Sequence, residues 1–178
     1  MARIAYADIT HPEAQPLVEK IVAERGTLLH LYQMLLHSPP VAAGWLRYLT
    51  AIRQECVLPG AIRELVIMRV ATLNGASYEA DVHAPIALKE GISQAQLDAL
   101  SEWERSSLFD ARQRAILAYT DTMTRKVQVP DSTFAAVRAE LDDRMLVELT
   151  ATVAAYNMVS RFLEALQLHM EDKRSPTS

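Results

Sequence analysis

The feature that most constrains the fold is an apolar run at residues 61–73. After Glu64, the only charge in the rest of this run is Arg69. A helix with so few charges offers no face to water, so we predict that it is buried on nearly all sides. An Asn-Gly step at residues 74–75 breaks the run, and a second helix is predicted over residues 77–90. These two helices are predicted to form the central unit of the protein.

The rest of the chain is also predicted to be helical. Gly and Pro stand mostly at the boundaries of apolar segments, and no long alternating strand pattern occurs. The first helix is predicted to begin after Thr10, with Pro12 in its first turn, and to stop at Gly26. We therefore predict an all-α bundle, with one domain over residues 1–170 and a polar, disordered tail at residues 171–178.

The last predicted helix, residues 144–169, has an unusual charge distribution. Between Leu149 and Ser160 it carries no formal charge. Two such apolar helices bury more surface than one core of this size usually needs, and obligate interfaces resemble a core cut in half. The sequence therefore predicts extensive contact between the subunits of a homo-oligomer.

Charge and composition argue against several functional classes. The net charge is −4 and the basic residues are scattered, so nucleic acid is not an expected partner. Neither a membrane-spanning run nor a signal peptide is recognised, so no membrane association is expected and the cytoplasm is the predicted compartment. Cys56 is the only cysteine, which excludes a disulfide or a dithiol couple within one chain. The sequence contains no zinc-protease motif or Gly-rich phosphate loop, so neither a metal nor a nucleotide is expected.

Three ionisable residues of the central unit form a candidate proton-transfer site. Glu79 and His83 are four residues apart, so they share one face of their predicted helix. As an exposed ion pair they would contribute only about 0.3–0.5 kcal/mol. A buried carboxylate beside the imidazole would instead hold one tautomer and raise its pKa. Burial of Glu64 would raise the pKa of that carboxyl, although the residue could equally serve the helix dipole or pair with Arg63.

The remaining thiol and imidazoles are interpreted as structural. No histidine stands at helical spacing from Cys56, and the neighbouring Glu55 would disfavour a thiolate. His30 and His37 share an apolar helix without a third ligand at useful spacing, so we interpret them as packing or capping residues.

Several segments together resemble the carboxymuconolactone decarboxylase and alkylhydroperoxidase-D-like superfamily. Parts of the last helix resemble its long-chain, peroxidase-related branch, notably residues 147–150 and 155–157. The segments that carry the superfamily resemblance are Leu58-Pro59, Ile62-Arg63-Glu64-Leu65, Asn74-Gly75, His83 and Gly91-Ile92-Ser93.

The sequence departs from the peroxidase branch at the sulfur positions. That branch has a glutamate, then Cys-x-x-Cys, then a histidine four residues later. Glu64 and His83 occupy the glutamate and histidine places, but Ala76 and Glu79 stand where the two cysteines would be. Thiol peroxidase chemistry needs a sulfur to accept oxygen and a second to form the disulfide. A dithiol peroxidase is therefore not expected.

The lactone decarboxylase branch has a pattern similar to Glu79-x-x-x-His83. The resemblance implies an all-α fold, no cofactor, and assembly as a trimer or hexamer. It also implies proton transfer to a small-molecule lactone acid as carbon dioxide leaves.

The leading hypothesis is a cofactor-independent lyase or isomerase acting on a small carboxylated, enolisable substrate. In this hypothesis His83 is the general acid/base, Glu79 orients and charges it, and Glu64 is a second proton relay. The alternatives are a peroxidase-related protein that uses Cys56 and a non-catalytic oligomer that binds a small ligand. The candidate substrate-binding residues are Tyr78, which would contact the substrate, and Arg69 or Arg161, which would hold a carboxylate by a bidentate contact.

Overall fold

A computed structural model of the chain describes residues 1–172. These residues form helices and no strand, so the prediction of an all-α protein is confirmed. The tail predicted from residue 171 falls mostly on residues 173–178, which lie outside the described residues. None of the helices within the described range is both long enough and apolar enough to cross a membrane.

Nine α-helices follow one another along the described chain. A π-helical turn at Ala51–Glu55 extends the third helix, and a 3-10 segment at Leu100–Arg105 extends the sixth. The α-helices are α1 (Gln15–Arg25), α2 (His30–Leu35), α3 (Pro39–Thr50), α4 (Gly60–Asn74), α5 (Ser77–Lys89), α6 (Gln94–Ala99), α7 (Ala111–Lys126), α8 (Asp131–Glu140) and α9 (Asp143–Leu166).

The chain divides into two compact units. One comprises residues 1–55 together with residues 163–172, and the other is Cys56–Phe162. A single domain over residues 1–170 stays a prediction.

The first unit contains α1 to α3. Helix α1 ends where predicted, because Gly26 adopts a φ of 76°, which glycine tolerates better than other residues, and its N–H bonds to the Val22 carbonyl. The start of α1 differs from the prediction. Residues 11–14 form a turn, so the helix begins at Gln15 and has Pro16, rather than Pro12, in its first turn.

The second unit is built around α4 and α5. Helix α4 is buried along most of its length, as its lack of charge predicted. Gly75 caps it at a φ of 65°, and the two-residue connection turns the chain directly into α5. A hydrophobic cluster packs against this pair, with Leu65, Met68, Ala87, Ile92, Leu100, Trp103, Phe109 and Leu117 as its buried members.

Helix α9 carries an apolar surface in the second unit. A shallow groove of about 530 Å³ is lined by Tyr119, Phe134, Leu146, Val147, Thr150, Ala151 and Ala154. Val147 is 68% exposed at this groove. The homo-oligomer stays a prediction.

Candidate proton-transfer site

The helical pair brings the three predicted ionisable residues into contact. His83 lies in the middle of α5, with Glu79 one turn earlier on the same helix and Glu64 facing it from α4. The Nδ1 atom of His83 lies 2.6 Å from Oε2 of Glu64. Its Nε2 atom lies 3.5 Å from Oε1 of Glu79. His83 is thus held between two carboxylates, one at each ring nitrogen.

All three residues are buried, which separates this cluster from an ordinary surface ion pair. The exposed fractions are 0% for Glu64, 4% for Glu79 and 2% for His83. Charges removed from water need close partners, because their mutual attraction must offset the lost hydration. The imidazole supplies that partner for both carboxylates.

The two carboxylates control the protonation of His83. Burial by itself would lower the pKa of the imidazole, because it disfavours the charged form. Hydrogen bonds and negative charge from Glu64 and Glu79 outweigh burial and raise the pKa of His83 above its ordinary value. A raised pKa favours the imidazolium, which is an acid able to donate a proton.

The expectation of a raised pKa at Glu64 is wrong. Burial does push the pKa of this carboxyl upward. The hydrogen bond and charge of His83, and then those of Arg63, outweigh burial and lower the pKa below its ordinary value. A lowered pKa favours the ionised form of Glu64 beside the imidazole.

One tyrosine packs against His83, and a second tyrosine precedes Glu79 in the sequence. The ring of Tyr156 on α9 meets the His83 ring edge-to-face, with centroids 5.2 Å apart. Tyr78 and Ala76 are buried where α5 begins. Sequence analysis missed Tyr156, although its uncharged segment of the last helix was a signal that this part of the chain is buried.

Arg69 lies in a separate buried ion pair. Its Nε and Nη2 atoms donate to Oδ1 and Oδ2 of Asp121 at 2.5 Å each, and Nη1 donates to the carbonyl of Leu100 at 2.6 Å. Trp103 Nε1 donates to the same carboxylate. This geometry favours a structural role for Arg69 over the predicted contact with a substrate.

Arg161, the other predicted carboxylate holder, has an exposed side chain. Its Nη1 atom donates to the side-chain oxygen of Asn157 at 2.6 Å and to the Asn157 carbonyl at 3.1 Å. Asn74, at the end of α4, donates to the same side-chain oxygen. Asn157 therefore ties Arg161 to the end of the helix that carries Glu64.

Cys56 does not have the surroundings of a reactive thiol. Burial and the negative charge of Glu148 raise the pKa of this thiol. Glu148 is thus the main carboxylate acting on it, whereas the sequence had pointed to Glu55, which pairs with Arg47.

The histidines outside the site have structural contacts. His30 packs against the ring of Tyr6, and a ring nitrogen of His37 bonds to the carbonyl of Ala5. Across residues 1–172, no group of three or more His, Cys, Asp and Glu side chains is arranged to hold a metal ion.

The opposite pKa shifts predict how the Glu64–His83 pair stabilises the fold with pH. The raised pKa of His83 gives stabilisation that is complete below 6.5 and lost as pH rises through the folded value. The lowered pKa of Glu64 gives stabilisation that is complete above 4.5 and lost as pH falls through its folded value. We expect the stability difference between wild type and His83→Gln to be largest between pH 4.5 and 6.5.

Urea unfolding of both proteins across this range and up to about pH 9 measures the difference, with His11→Gln as the exposed control. A difference that stays constant with pH would contradict the assignment of the charged pair.

The fold and the site together define an all-helical protein whose central helical pair carries a buried Glu–His–Glu cluster. Residues 39–122 match the family model of the carboxymuconolactone decarboxylase family.

Two curated relatives are uncharacterized proteins. YdfG of Bacillus subtilis is 26% identical over 106 residues, covering 58% of this chain and 72% of the relative. YnjA of Escherichia coli is 27% identical over 126 residues, covering 70% of this chain and 66% of the relative.

Solved structures share the fold at low sequence identity. An uncharacterized peroxidase-related protein from Ralstonia eutropha JMP134, with an alkylhydroperoxidase AhpD core, has a TM-score of 0.81 at 17% identity, covering 96% of this chain and 93% of its own. A peroxidase-related protein from Silicibacter sp. TM1040 has a TM-score of 0.78 at 18% identity, covering 92% and 87%. The debrominase Bmp8, in its apo form, has a TM-score of 0.77 at 16% identity, covering 95% and 92%.

The family match at residues 39–122 confirms that this part of the chain resembles the carboxymuconolactone decarboxylase family, and the solved structures show that the chain shares the fold of an alkylhydroperoxidase AhpD core.

Proposed function

We propose that the protein is a cofactor-independent enzyme that transfers protons on a small carboxylated, enolisable molecule, as a lyase or isomerase. The observation that carries this proposal is the buried imidazole of His83 with a carboxylate at each nitrogen. Opposed acid and base groups in a water-poor site are what proton transfer to carbon requires.

The geometry favours roles for Glu64 and Glu79 that differ from those the sequence suggested. Glu64 makes the shorter contact and is fully buried, so we assign to it the orientation and charging of His83. Since Glu64 occupies Nδ1, the proton available for transfer lies on Nε2. Glu79 faces that nitrogen at 3.5 Å, and we assign to it the relay of protons between His83 and the substrate or solvent.

In a decarboxylation, these groups act on the carbon that loses its carboxylate. The carbon–carbon bond breaks, carbon dioxide leaves, and the electron pair left on the substrate takes up a proton at carbon. His83 supplies that proton from Nε2 and is reprotonated through Glu79. In an isomerisation, the same residues first remove a proton from carbon and then return it at another carbon.

The contacts with substrate are assigned by elimination. Because Arg69 is committed to Asp121, Arg161 is the better candidate to hold a substrate carboxylate. Tyr78, adjacent to Glu79, keeps its proposed contact with the substrate.

A thiol peroxidase is the weaker alternative. Ala76 and Glu79 stand in the places of the two cysteines, and the pKa of the one thiol present, Cys56, is raised rather than lowered. A low-pKa, accessible thiolate is the species that reacts with peroxide.

The proposal is tested by carbon dioxide release from 4-carboxymuconolactone in D₂O, with deuterium at the product carbon followed by NMR. A panel of small enolisable carboxylic acids extends the exchange assay beyond this lactone. Wild type is expected to release carbon dioxide or to exchange deuterium, and Glu79→Gln is expected to lose that activity because its amide cannot relay a proton.

Glu102→Gln, an exposed change of the same type, and Cys56→Ser are expected to retain the activity. An absence of both release and exchange by wild type would overturn the proposal and favour a ligand-binding protein.

A further inference from the structure

Arg63 is the charged residue that completes the coordination of Glu64. Its Nε atom donates to Oε1 of Glu64 at 3.1 Å, while Oε2 of the same carboxylate contacts His83. The two oxygens of Glu64 thus face different cationic partners. This divided contact fixes the rotation of the carboxylate, and with it the oxygen that meets the imidazole.

Glu90 anchors the outer end of Arg63. It caps the C-terminus of α5, and its Oε1 lies 3.5 Å from Nη2 of Arg63. Its side chain is 39% exposed, against 13% for Arg63 and 0% for Glu64. Charges of alternating sign therefore run from the buried site to the surface.

Gly60 makes room for this anchor. It is the first residue of α4, and a Cβ atom at this position would overlap the carboxylate of Glu90. Any larger residue at this position would require the Glu90 carboxylate to move away from the start of α4.

The charge balance shows what Arg63 contributes. Without it, Glu64 and Glu79 would share the single positive charge of His83 in a buried site. A buried carboxylate that lacks a full compensating charge takes up a proton. A protonated Glu64 would no longer hold His83 as the imidazolium.

We propose that Arg63 is a positioning residue of the proton-transfer site, which keeps Glu64 ionised and turns Oε2 of Glu64 toward His83. This proposal rests on the proposed function for its catalytic meaning, but its structural content is independent of any substrate.

Other groups near Arg63 and Glu64 come from α5 with its C-terminal cap and from α9. Helix α5 contributes Glu79, Glu90 and His83, whereas α9 faces His83 with Tyr156. Glu148 and Arg144 of α9 act on the Cys56 thiol, as Arg63 does. Besides Arg63, the charge that acts on Glu64 is that of His83. Removal of Arg63 is therefore expected to raise the pKa of Glu64.

The experiment follows the titration of the Glu64 carboxyl by ¹³C NMR, assigned with Glu64→Gln. In Arg63→Gln the midpoint of Glu64 is expected to rise by about one pH unit or more, since an opposite charge within about 4–6 Å lowers a carboxyl pKa by about 1–3 units. Arg63→Lys keeps the charge without the planar guanidinium, so it is expected to restore part of the shift.

Two controls separate this role from general damage. Glu90→Gln removes a charge from the same cluster but no bond to Glu64, so the Glu64 midpoint is not expected to rise. Arg105→Gln removes an exposed arginine outside the site and is expected to change nothing. An unshifted midpoint in Arg63→Gln, or an equal rise in Glu90→Gln, would overturn the proposal.

The titration needs no substrate, so it tests Arg63 even if the carbon dioxide and exchange assays find no turnover. Where turnover is found, the acid limb of the pH–rate profile of Arg63→Gln is expected to move to higher pH together with the Glu64 midpoint. The alkaline limb, which is set by His83, is not expected to move to lower pH. A loss of activity by the same factor at every pH would indicate structural damage and count against a positioning role.

Discussion

Replacement of His83 by glutamine is expected to lower kcat/KM by about 10²–10⁴-fold, the usual contribution of a general acid or base. The effect should be this large because His83 is the imidazole assigned to the site, and an amide cannot exchange a proton at neutral pH. The measurement uses whichever reaction the carbon dioxide or deuterium assay identifies. His11→Gln is the exposed control, and circular dichroism establishes that both variants retain their helices.

The two carboxylates provide a second readout of the same mechanism. Glu64 contacts His83 at 2.6 Å and Glu79 at 3.5 Å. Glu64→Gln is therefore expected to lower the titration midpoint of His83, followed by NMR, further than Glu79→Gln does. Retained activity in His83→Gln would remove His83 from the mechanism, whereas equal shifts from the two glutamates would contradict the roles assigned to them.

Loss of Asp121 is expected to have the largest effect on stability. Asp121→Ala should lower the free energy of unfolding by about 3–5 kcal/mol, because it leaves the buried charge of Arg69 without its counter-ion. The indole N–H of Trp103 would lose its acceptor as well. Urea unfolding at constant pH measures the change.

Two comparisons show whether the unpaired charge of Arg69 causes the loss of stability in Asp121→Ala. Asp98→Ala removes an exposed carboxylate that accepts only a surface hydrogen bond from Gln94, so it is expected to change stability little. The double variant Arg69→Met/Asp121→Leu removes both charges and is expected to recover much of the loss. A loss below about 1 kcal/mol in Asp121→Ala would contradict a compensated buried pair.

This ion pair also explains why an arginine in an apolar helix was a misleading signal for a ligand site. The sequence shows a lone charge at Arg69, and a substrate carboxylate is one possible partner for it. The actual geometry pairs it with Asp121, 52 residues further along the chain. Asp121 lies on α7 among polar residues, so no local pattern identified it.

Features encoded by nearby residues were predicted well. Gly26 ends α1 and Gly75 separates α4 from α5, because caps and turns depend on residues close in the sequence. The start of the first helix was less well predicted. A proline is tolerated in any first turn, so Pro12 and Pro16 were equally good starts until the turn at residues 11–14 was known.

The pKa of Glu64 shows the limit of an argument from burial alone. The apolar run correctly indicated that Glu64 is buried, and burial alone raises a carboxyl pKa. The sign of the net shift depended on two partners, and one of them, His83, is 19 residues away. The sequence identified the residues, but only their distances determined which influence was larger.

The amino-acid sequence by itself determined the helical class and the burial of the first central helix, and it identified Glu64, Glu79 and His83 as candidates for one site. Periodicity, caps and the spacing of Glu79 and His83 are local properties, and the resemblance supplied the place of Glu64. Tertiary structure alone decided that Glu64 is closer to His83 than Glu79 is, that Asp121 pairs with Arg69, and that Tyr156 packs against the imidazole. Hydrogen bonds and charge interactions change steeply over one or two ångströms, and such distances between separate helices arise only when the chain is folded.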